Sequence, residues 1–391
     1  MTLLSLYEKL EKLIQRLPEP LQSPILREIR PLQSLFLLQR PPRLLLLGDR
    51  RASRSELVNA LMGSAAAAAS EDLIQDGSWQ LFTRRPGKGK LRLLDARRPA
   101  SLSLLHRALN APAPDLCLYA FQSAQSPEET AADLEQAGAV MRALEELHRD
   151  LKLYVVGVAP ASATECAPEE VRRQLDAAMH GGGNMVFARR VAGLSVLAAG
   201  ADERQRLAVT IAGELPFESK LEWVRMAGLR KEQAELAHLV VRSVTAICAA
   251  VGAQPIPLAD FPILTSLQAA MVAGIMHISG REMKMSLAVE WLTALGANIG
   301  MGLALREGAR AALKLLPVWG GLLSGGIAAA GTFAIGRAAI AYFIEGVSLP
   351  SAQKLFHDRR HDKKLIAALS AEAPEAELAS VPGDERAANG K

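Results

Sequence analysis

The chain has 391 residues, of which 50% are hydrophobic and only 4% aromatic, and its 45 basic and 41 acidic side chains leave a formal net charge of +4. An apolar fraction of one half excludes a wholly disordered chain, and the shortage of aromatic residues argues against an all-β sandwich. The length suggests two or three domains. Three widely spaced cysteines, Cys117, Cys166 and Cys248, form no CxxC pair, so a reducing, cytosol-facing setting is expected.

The first forty residues carry two apolar stripes with helical spacing. Apolar residues recur over residues 3–17 and again over residues 21–32, and Pro18 separates the two stretches. We predict two amphipathic helices here. Such stripes most often pack against the rest of the same protein, in this case the C-terminal helices, and peripheral binding to a membrane is the alternative.

Beyond these helices, residues 41–218 alternate between strand and helix patterns. This alternation predicts a mainly parallel sheet with helices on both faces. The predicted strands are residues 43–48, 79–84, 90–95, 115–121, 151–158 and 194–199, and the predicted helices are residues 55–62, 102–109, 127–149, 168–179 and 202–215. The turn between the second and third strands, residues 85–89, is too short for a crossover helix, so we expect an antiparallel hairpin at the sheet edge.

The first predicted strand leads into a turn that has the spacing of a phosphate-binding loop. Such a loop has the form G-x-x-x-x-G-K-[ST] between a strand and a helix, where backbone N–H groups hold the phosphates. Gly48 and Ser55 match the first glycine and the final serine. Ser53 stands where the second glycine is expected, and Arg54 stands where the lysine is expected.

With residues 57–63, which have the pattern L-[IV]-N-A-L-x-G, this segment resembles the Era-like GTPases of the Ras-like P-loop superfamily. The resemblance implies an α/β P-loop G domain whose six-stranded, mainly parallel sheet has one antiparallel edge hairpin. It also implies that Ser55 and Asp95, which ends the third predicted strand, would hold Mg²⁺ if a nucleotide binds. The nucleotide-binding residues that it implies are Gly48, Ser53, Arg54, Ser55 and Asp95.

The remaining motifs of that family are eroded. Asp95 begins the D-x-x-G motif, but Arg98 replaces the glycine that senses the γ-phosphate in the family. Residues 63–78 contain no threonine for the first switch, and residues 157–162 contain no carboxylate that could pair with guanine. We therefore predict a pseudoGTPase with no catalytic residue and weak or absent nucleotide binding. Binding of GTP with Mg²⁺ and slow or no hydrolysis, or a working GTPase, are the alternatives.

Basic residues crowd the predicted hairpin and the loop after it. They are Arg84, Arg85, Lys88, Lys90, Arg92, Arg97 and Arg98. Because alternate side chains of a hairpin share a face, several should form a basic patch at the sheet edge. The patch is either a charged edge that resists aggregation or a surface for anionic lipid or an acidic protein. Nucleic acid is not expected as a partner, because no aromatic platform or RNA-binding motif accompanies the charges.

The C-terminal half is depleted of charge. Residues 231–350 hold only 8 basic and 7 acidic side chains. Within them, residues 261–280 and 315–336 are uncharged runs that are long enough to cross a bilayer, whereas the uncharged run 291–305 is shorter. Their small residues suit close helix packing in lipid. We expect contact with a membrane, and a soluble helical bundle is the alternative.

The apolar half also resembles a known family. Its segment from Pro255 to Gln268, the pair Leu316-Pro317 and the run from Gly331 to Gly336 are similar to the YcjF-like helical domain. That bacterial family of unknown biochemistry is often fused behind Era-like G domains and is regarded as membrane-associated. The resemblance covers roughly residues 232–346 and implies a place at the cytoplasmic face of a bacterial membrane, with a purely cytoplasmic location as the alternative.

These features predict four regions and one mode of action. The regions are N-terminal amphipathic helices in residues 1–40, a degenerate G domain in 41–218, an apolar YcjF-like helical domain in 219–350, and a charged helix with a flexible tail in 351–391. We predict a membrane-associated scaffold or regulatory protein that needs no cofactor and acts through binding and assembly with an unidentified protein partner or with further copies of itself. The alternative is an active GTPase, with GTP and Mg²⁺, that remodels or acts at the membrane in a dynamin-like layout.

Overall fold

A computed structural model describes the chain in separate stretches. The described residues are 15, 19–48, 61, 78–83, 89–97, 107–109, 112–122, 127–146, 153–158, 173, 191–197, 201–252, 260–296 and 319–360. The helices and strands, in chain order, are α1 (Glu19–Phe36), β1 (Arg43–Gly48), β2 (Trp79–Thr83), β3 (Lys90–Asp95), β4 (Leu116–Gln122), α2 (Pro127–Glu146), β5 (Leu153–Val158), β6 (Val191–Leu197), α3 (Ala201–Glu214), α4 (Phe217–Ala227), α5 (Arg230–Gly252), α6 (Asp260–Ile278), α7 (Met285–Ala294), α8 (Trp319–Ile340), a π-helical segment (Ala341–Glu345) and α9 (Leu349–Arg360). As predicted, an α/β part is followed by a helical part.

Some predicted elements lie outside these residues. Of the predicted helices 3–17, 55–62 and 168–179, the structure describes only Gln15, Leu61 and Arg173. The predicted phosphate-loop positions 49–60 and the predicted tail beyond α9 also lie outside the described part of the chain.

The strands form a sheet in the order β2-β3-β1-β4-β5-β6. All neighbours are parallel except β2 and β3, which pair antiparallel with Leu81 opposite Arg92, as expected for the edge hairpin. The last strand begins at Val191, three residues earlier than its predicted start. Gly193 interrupts the apolar pattern there, but pairing with β5 extends through an irregularity at Leu153 and Tyr154.

An ion pair joins the starts of β1 and β4. The guanidinium of Arg40 donates to both carboxylate oxygens of Asp115, at 2.6 Å and 2.8 Å, and the backbone N–H of Arg43 donates to the same carboxylate at 2.9 Å. The hydrogen bond to Asp115 raises the pKa of the Arg40 guanidinium. A bidentate, charge-assisted pair of this kind fixes the register of two strands at the amino edge of the sheet.

The two faces of the sheet have different neighbours, because successive side chains of a strand point to opposite sides. Leu44 and Leu46 of β1 belong to a large core that continues into the helical part. The opposite face meets α2, which contacts β1. The inward residues of α2 recur at helical spacing and are all buried: Leu134, Ala137, Val140, Met141 and Leu144.

Helices α5 and α8 form the central pair of the helical part. Their backbones come close because α8 offers a glycine at the contact: a Cβ on Gly336 would lie 2.4 Å from Cγ2 of Val241. Beyond α8, the π-helical segment places Phe343 with its ring centroid 5.1 Å from that of Trp291 in α7. Arg281 lies 4.9 Å from the centroid of the same Phe343 ring, within the range of a cation–π contact.

Helix α1 docks on the helical part. It packs against α4 and α5, and Phe36 at its end approaches α6 so closely that a Cβ on Gly274 would lie 2.9 Å from the ring. The second N-terminal stripe is therefore satisfied within the protein, as predicted for it.

Two described helical stretches are long and apolar enough to cross a membrane by length and composition, namely Arg230–Gly252 and Gly325–Glu345. In the most apolar part of each stretch, 67% and 72% of the residues, respectively, are buried within the protein. The core helices of soluble proteins have the same properties, so these two stretches alone do not distinguish the two locations. The predicted run 315–336 falls mainly in α8, whereas the predicted run 261–280 forms α6, of which Leu264–Ile278 counts as a shorter apolar helix.

We predict that two glycine-to-alanine substitutions in α8 have opposite effects on stability. Gly336→Ala should lower the free energy of unfolding by about 1–2 kcal/mol, because overpacking against Val241 outweighs the gain in helix propensity. Gly331→Ala is the matched control, since no atom lies within 4 Å of a Cβ there, and it should raise stability by about 0.5–1 kcal/mol. Denaturant unfolding of the full-length variants measures both, and equal effects would contradict the close packing of α5 and α8.

Candidate functional site

The topology of the sheet marks one place for a ligand. The chain runs from β1 outward to β2 and β3 on one side, then crosses to β4 on the other side of β1. In open α/β sheets, ligands bind in the crevice outside the carboxyl ends of the strands at such a reversal. Gly48 ends β1 and Asp95 ends β3, so both predicted residues lie at this edge. Pairing of Leu46 with Asp95 places the two strand ends side by side.

Gly48 must be glycine for two independent reasons. Its φ of +102° lies outside the range that other L-residues readily adopt. A Cβ would also lie 2.2 Å from the carbonyl oxygen of Ala120 in β4, which is shorter than any permitted contact. The end of β1 therefore lies too close to β4 for any residue with a side chain at position 48.

The carboxylate of Asp95 is occupied by a neighbour two residues along the chain. The Nε and Nη2 atoms of Arg97 donate to Oδ1 and Oδ2 of Asp95, at 2.9 Å and 2.8 Å. The backbone N–H of Arg97 donates to Oδ1 as well, at 3.2 Å. Asp95 therefore neutralises a cation that the chain itself supplies.

Arg97 is held in place from the far side by α2. Gln136 donates its side-chain amide to the backbone carbonyl of Arg97 at 2.9 Å, and only 8% of Arg97 is exposed. Arg97 is therefore not one of the basic residues that form an exposed patch. A cation with so little solvent is stable only when a carboxylate lies beside it, which Asp95 provides.

This arrangement does not fit Mg²⁺. A metal ion or its bound water would need an oxygen of Asp95, and each of the two oxygens already accepts a hydrogen bond from the guanidinium. Bringing a cation to within about 4 Å of the guanidinium would also cost roughly 4 kcal/mol per unit charge at an effective dielectric constant near 20. Among the residues that the structure describes, no group of three or more His, Cys, Asp and Glu side chains could hold a metal ion.

The structure thus brings together two of the five predicted nucleotide-binding residues, Gly48 and Asp95. Ser53, Arg54 and Ser55 lie outside the described residues, and so do four members of the predicted basic patch, Arg84, Arg85, Lys88 and Arg98. Of the patch members that are described, Lys90 is exposed and Arg92 is half-buried on β3.

Comparisons with known proteins place the chain in no family. No protein-family model matches the chain, and no curated protein matches it at a significant level. A solved structure from work on the GTPase activity and dimerization of the chloroplast translocon components atToc33 and psToc159 is similar at 17% identity, over 47% of this chain and 79% of that chain, with a TM-score of 0.28.

We predict that the carboxylate of Asp95 stabilises the folded chain. Asp95→Asn removes the charge that neutralises the nearly buried Arg97, so the free energy of unfolding should fall by about 2–4 kcal/mol. The double variant Asp95→Asn with Arg97→Met should recover most of the loss, because no cation then remains unpaired. Denaturant unfolding without nucleotide or metal checks both variants. An Asp95 reserved for a ligand would instead leave the stability of the free protein unchanged on substitution.

Proposed function

We propose that this chain is a scaffold or regulatory protein of the pseudoGTPase type, with a degenerate Era-like G domain that acts through binding and assembly. The observation that carries the proposal is the bidentate ion pair between Asp95 and Arg97. It occupies the one described carboxylate that the G-domain resemblance assigns to the metal. We propose no bound cofactor and no turnover.

The fold supports a G-domain origin for this site. The sheet has its single antiparallel pair at one edge, and the strand that ends at Gly48 lies at the point where the order of the strands reverses. The obligatory glycine at that strand end is what a phosphate loop needs at its first position. A sheet of this kind can present the loops at its edge to a partner even when no phosphate is bound.

The eroded sequence and the ion pair point in the same direction. Arg98 replaces the D-x-x-G glycine, so the contact that would sense a γ-phosphate is lost. Arg97 pairs with Asp95, so the carboxylate that would bind the metal is already occupied. Because the switch of a G domain depends on contacts with the γ-phosphate and Mg²⁺, a domain that lacks both has nothing for a nucleotide to switch.

We also propose that the protein works at the cytoplasmic face of a bacterial membrane, through its YcjF-like helical domain. The low charge of residues 231–350, which hold only 8 basic and 7 acidic side chains, and the YcjF-like resemblance of that region are the reasons for this proposal. The extensive burial of the long apolar stretches in α5 and in α8 with the π-helical segment favours association of the folded domain with the membrane surface over crossing by these helices.

We predict that the full-length protein binds neither GTP nor ATP with micromolar affinity in the presence of Mg²⁺. Titration with fluorescent analogues of both nucleotides, with and without Mg²⁺, and a phosphate-release assay measure binding and turnover. The same titrations are made with Arg97→Ala, in which Asp95 loses its guanidinium partner. Arg92→Ala, which removes an arginine from β3 and leaves Asp95 paired, is the matched control. Micromolar binding with turnover that Ser55→Ala abolishes would overturn the proposal in favour of the active GTPase.

We predict that the protein sediments with membranes when cells are fractionated and that alkaline carbonate releases it. Peripheral association is disrupted by high pH, whereas a crossing helix remains in the pellet. Recovery in the supernatant of an untreated lysate, as a monodisperse species without detergent, would contradict a membrane location. Retention in the carbonate pellet would contradict the surface association that the burial of α5 and α8 favours.

A further inference from the structure

A histidine lies where the helical part meets the chain that leads into the sheet. His277 is in the last turn of α6, and its imidazole contacts the side chain of Gln39, which lies between α1 and β1. One turn earlier on α6, Gly274 lies against the ring of Phe36 at the end of α1. The candidate nucleotide site uses none of these residues.

The hydrogen bonds around Gln39 determine which nitrogen of His277 carries the proton. The side-chain amide of Gln39 donates to Oε1 of Glu222 at 2.7 Å, and an ionised carboxylate can only accept. The carbonyl oxygen of Gln39 therefore faces His277, whose Nε2 lies 3.1 Å from it and donates. A neutral imidazole has one N–H, so Nδ1 is the nitrogen that a second proton would take.

A second proton on His277 is unfavourable in this position. Its Nδ1 atom is buried and has no hydrogen-bond partner among the described residues. Burial, and after it the positive charge of Arg225 on α4, lowers the pKa of His277 to about 4. The backbone of Arg281 favours the charged form but offsets only part of this shift. Because only 7% of Arg225 is exposed, water screens its charge poorly.

The other charged groups around His277 do not compensate a second proton. Glu222 already accepts hydrogen bonds from Gln39 and from the backbone N–H of Lys90. Just beyond α6, Glu282 pairs with Lys284 in solvent. Helices α5, α7 and α8 also pack against α6, and their charged residues are exposed or half-buried, so water screens them. These residues are Arg230, Lys231, Glu232, Glu235, Arg242, Glu290 and Arg337.

We propose that His277 is an acid-sensitive latch, whose protonation separates the end of α6 from the connection between α1 and β1. The imidazolium leaves the vicinity of Arg225 for solvent, and its contact with Gln39 is lost. Gln39 then no longer holds Glu222 against the bundle. Since the same Glu222 binds the backbone N–H of Lys90 at the start of β3, opening of the latch also loosens the sheet from the helical part.

The direction of the pKa shift sets the pH range of the latch. A solvated histidine has a pKa of about 6.5, so the open form binds the proton more tightly than the closed form. The closed form is therefore fully stable above about pH 6.5 and loses stability as the pH falls towards 4. At pH 5, the equilibrium for closing should be roughly 30-fold less favourable than at pH 8.

The first test is hydrogen exchange of the full-length protein at pH 7.5 and pH 5, corrected for intrinsic exchange rates. Peptides that cover residues 33–40 and 271–281 should lose at least about tenfold in protection at the lower pH. His277→Gln keeps an N–H for Gln39 but takes no second proton, so it should keep its protection at both pH values. His357→Gln, at an exposed position of α9, is the matched control and should lose protection as the unsubstituted protein does.

The second test is a pH titration of histidine side chains by NMR with ¹⁵N-labelled histidine. The signal that His277→Gln removes identifies His277, and it should show a neutral Nε2–H imidazole down to below pH 5. A pKa of 6 or more, or an equal loss of protection in the unsubstituted protein and in His277→Gln, would overturn the proposal. If His277→Gln is already open at pH 7.5, the pKa of the unsubstituted protein and its own loss of protection decide.

This inference goes beyond the proposed function and can fail independently of it. Lys90 begins β3 and Asp95 ends it, so the latch and the candidate nucleotide site lie at opposite ends of one strand. A protein that binds GTP can still open at His277 in acid, and one that binds no nucleotide can stay closed. Hydrogen exchange and nucleotide titration therefore distinguish failure of the latch from failure of the pseudoGTPase proposal.

Discussion

Close packing around helix α4 lets the sheet and the helical part share one hydrophobic core. This helix contacts β3 on one side and α1, α5 and α6 on others. Its Trp223 is fully buried, and the indole N–H donates to the carbonyl oxygen of Ala208 in α3 at 2.8 Å, so the polar atom of this large side chain is satisfied. The approach of the sheet is equally close: a Cβ on Gly89 would lie 2.7 Å from Cβ of Met226. The two parts therefore form one packed unit at α4.

A polar network crosses the same junction. Glu222 of α4 accepts hydrogen bonds from the Gln39 side-chain amide at 2.7 Å and from the backbone N–H of Lys90 at 3.1 Å. Gln39 also contacts Nε2 of His277 in α6 at 3.1 Å. Burial, together with the charge of Arg225, lowers the pKa of His277 to about 4. The imidazole is therefore neutral at neutral pH, and one glutamate connects the sheet, the α1–β1 connection and the helical bundle.

Local sequence patterns predict much of this fold. Apolar runs bounded by turns locate β1 and β3 to the residue, and the short connection between the second and third strands predicts their antiparallel pairing, because these features depend on nearby residues alone. The helix Arg230–Gly252 escapes a search for uncharged runs because Lys231, Glu232 and Arg242 interrupt it. Whether such charges reach solvent depends on tertiary packing.

The sequence likewise predicts one part of the candidate site and misses another. Gly48 is predictable because the loop pattern puts a glycine at the end of a strand, where the structure leaves no room for a Cβ beside Ala120. The pairing of Asp95 with Arg97 is not predictable, because the sequence shows Arg97 only as one more cation in a basic stretch. The position of Arg97 involves a hydrogen bond to its backbone carbonyl from Gln136, which lies 39 positions away in α2. The partner of the Asp95 carboxylate, here Arg97, therefore decides between a metal site and a structural ion pair.

The docking of α1 has a consequence for biosynthesis. Gln39, just beyond this helix, meets His277 across 238 positions of sequence, and Phe36 packs over Gly274 of the same distant helix. At a translation rate of about 5–20 residues per second, the ribosome needs roughly 12–48 s to make the chain in between. For most of that interval the apolar stripe of α1 has no finished groove to enter. The stripe of α1 is therefore apolar surface that the nascent chain leaves uncovered until α6 has been made.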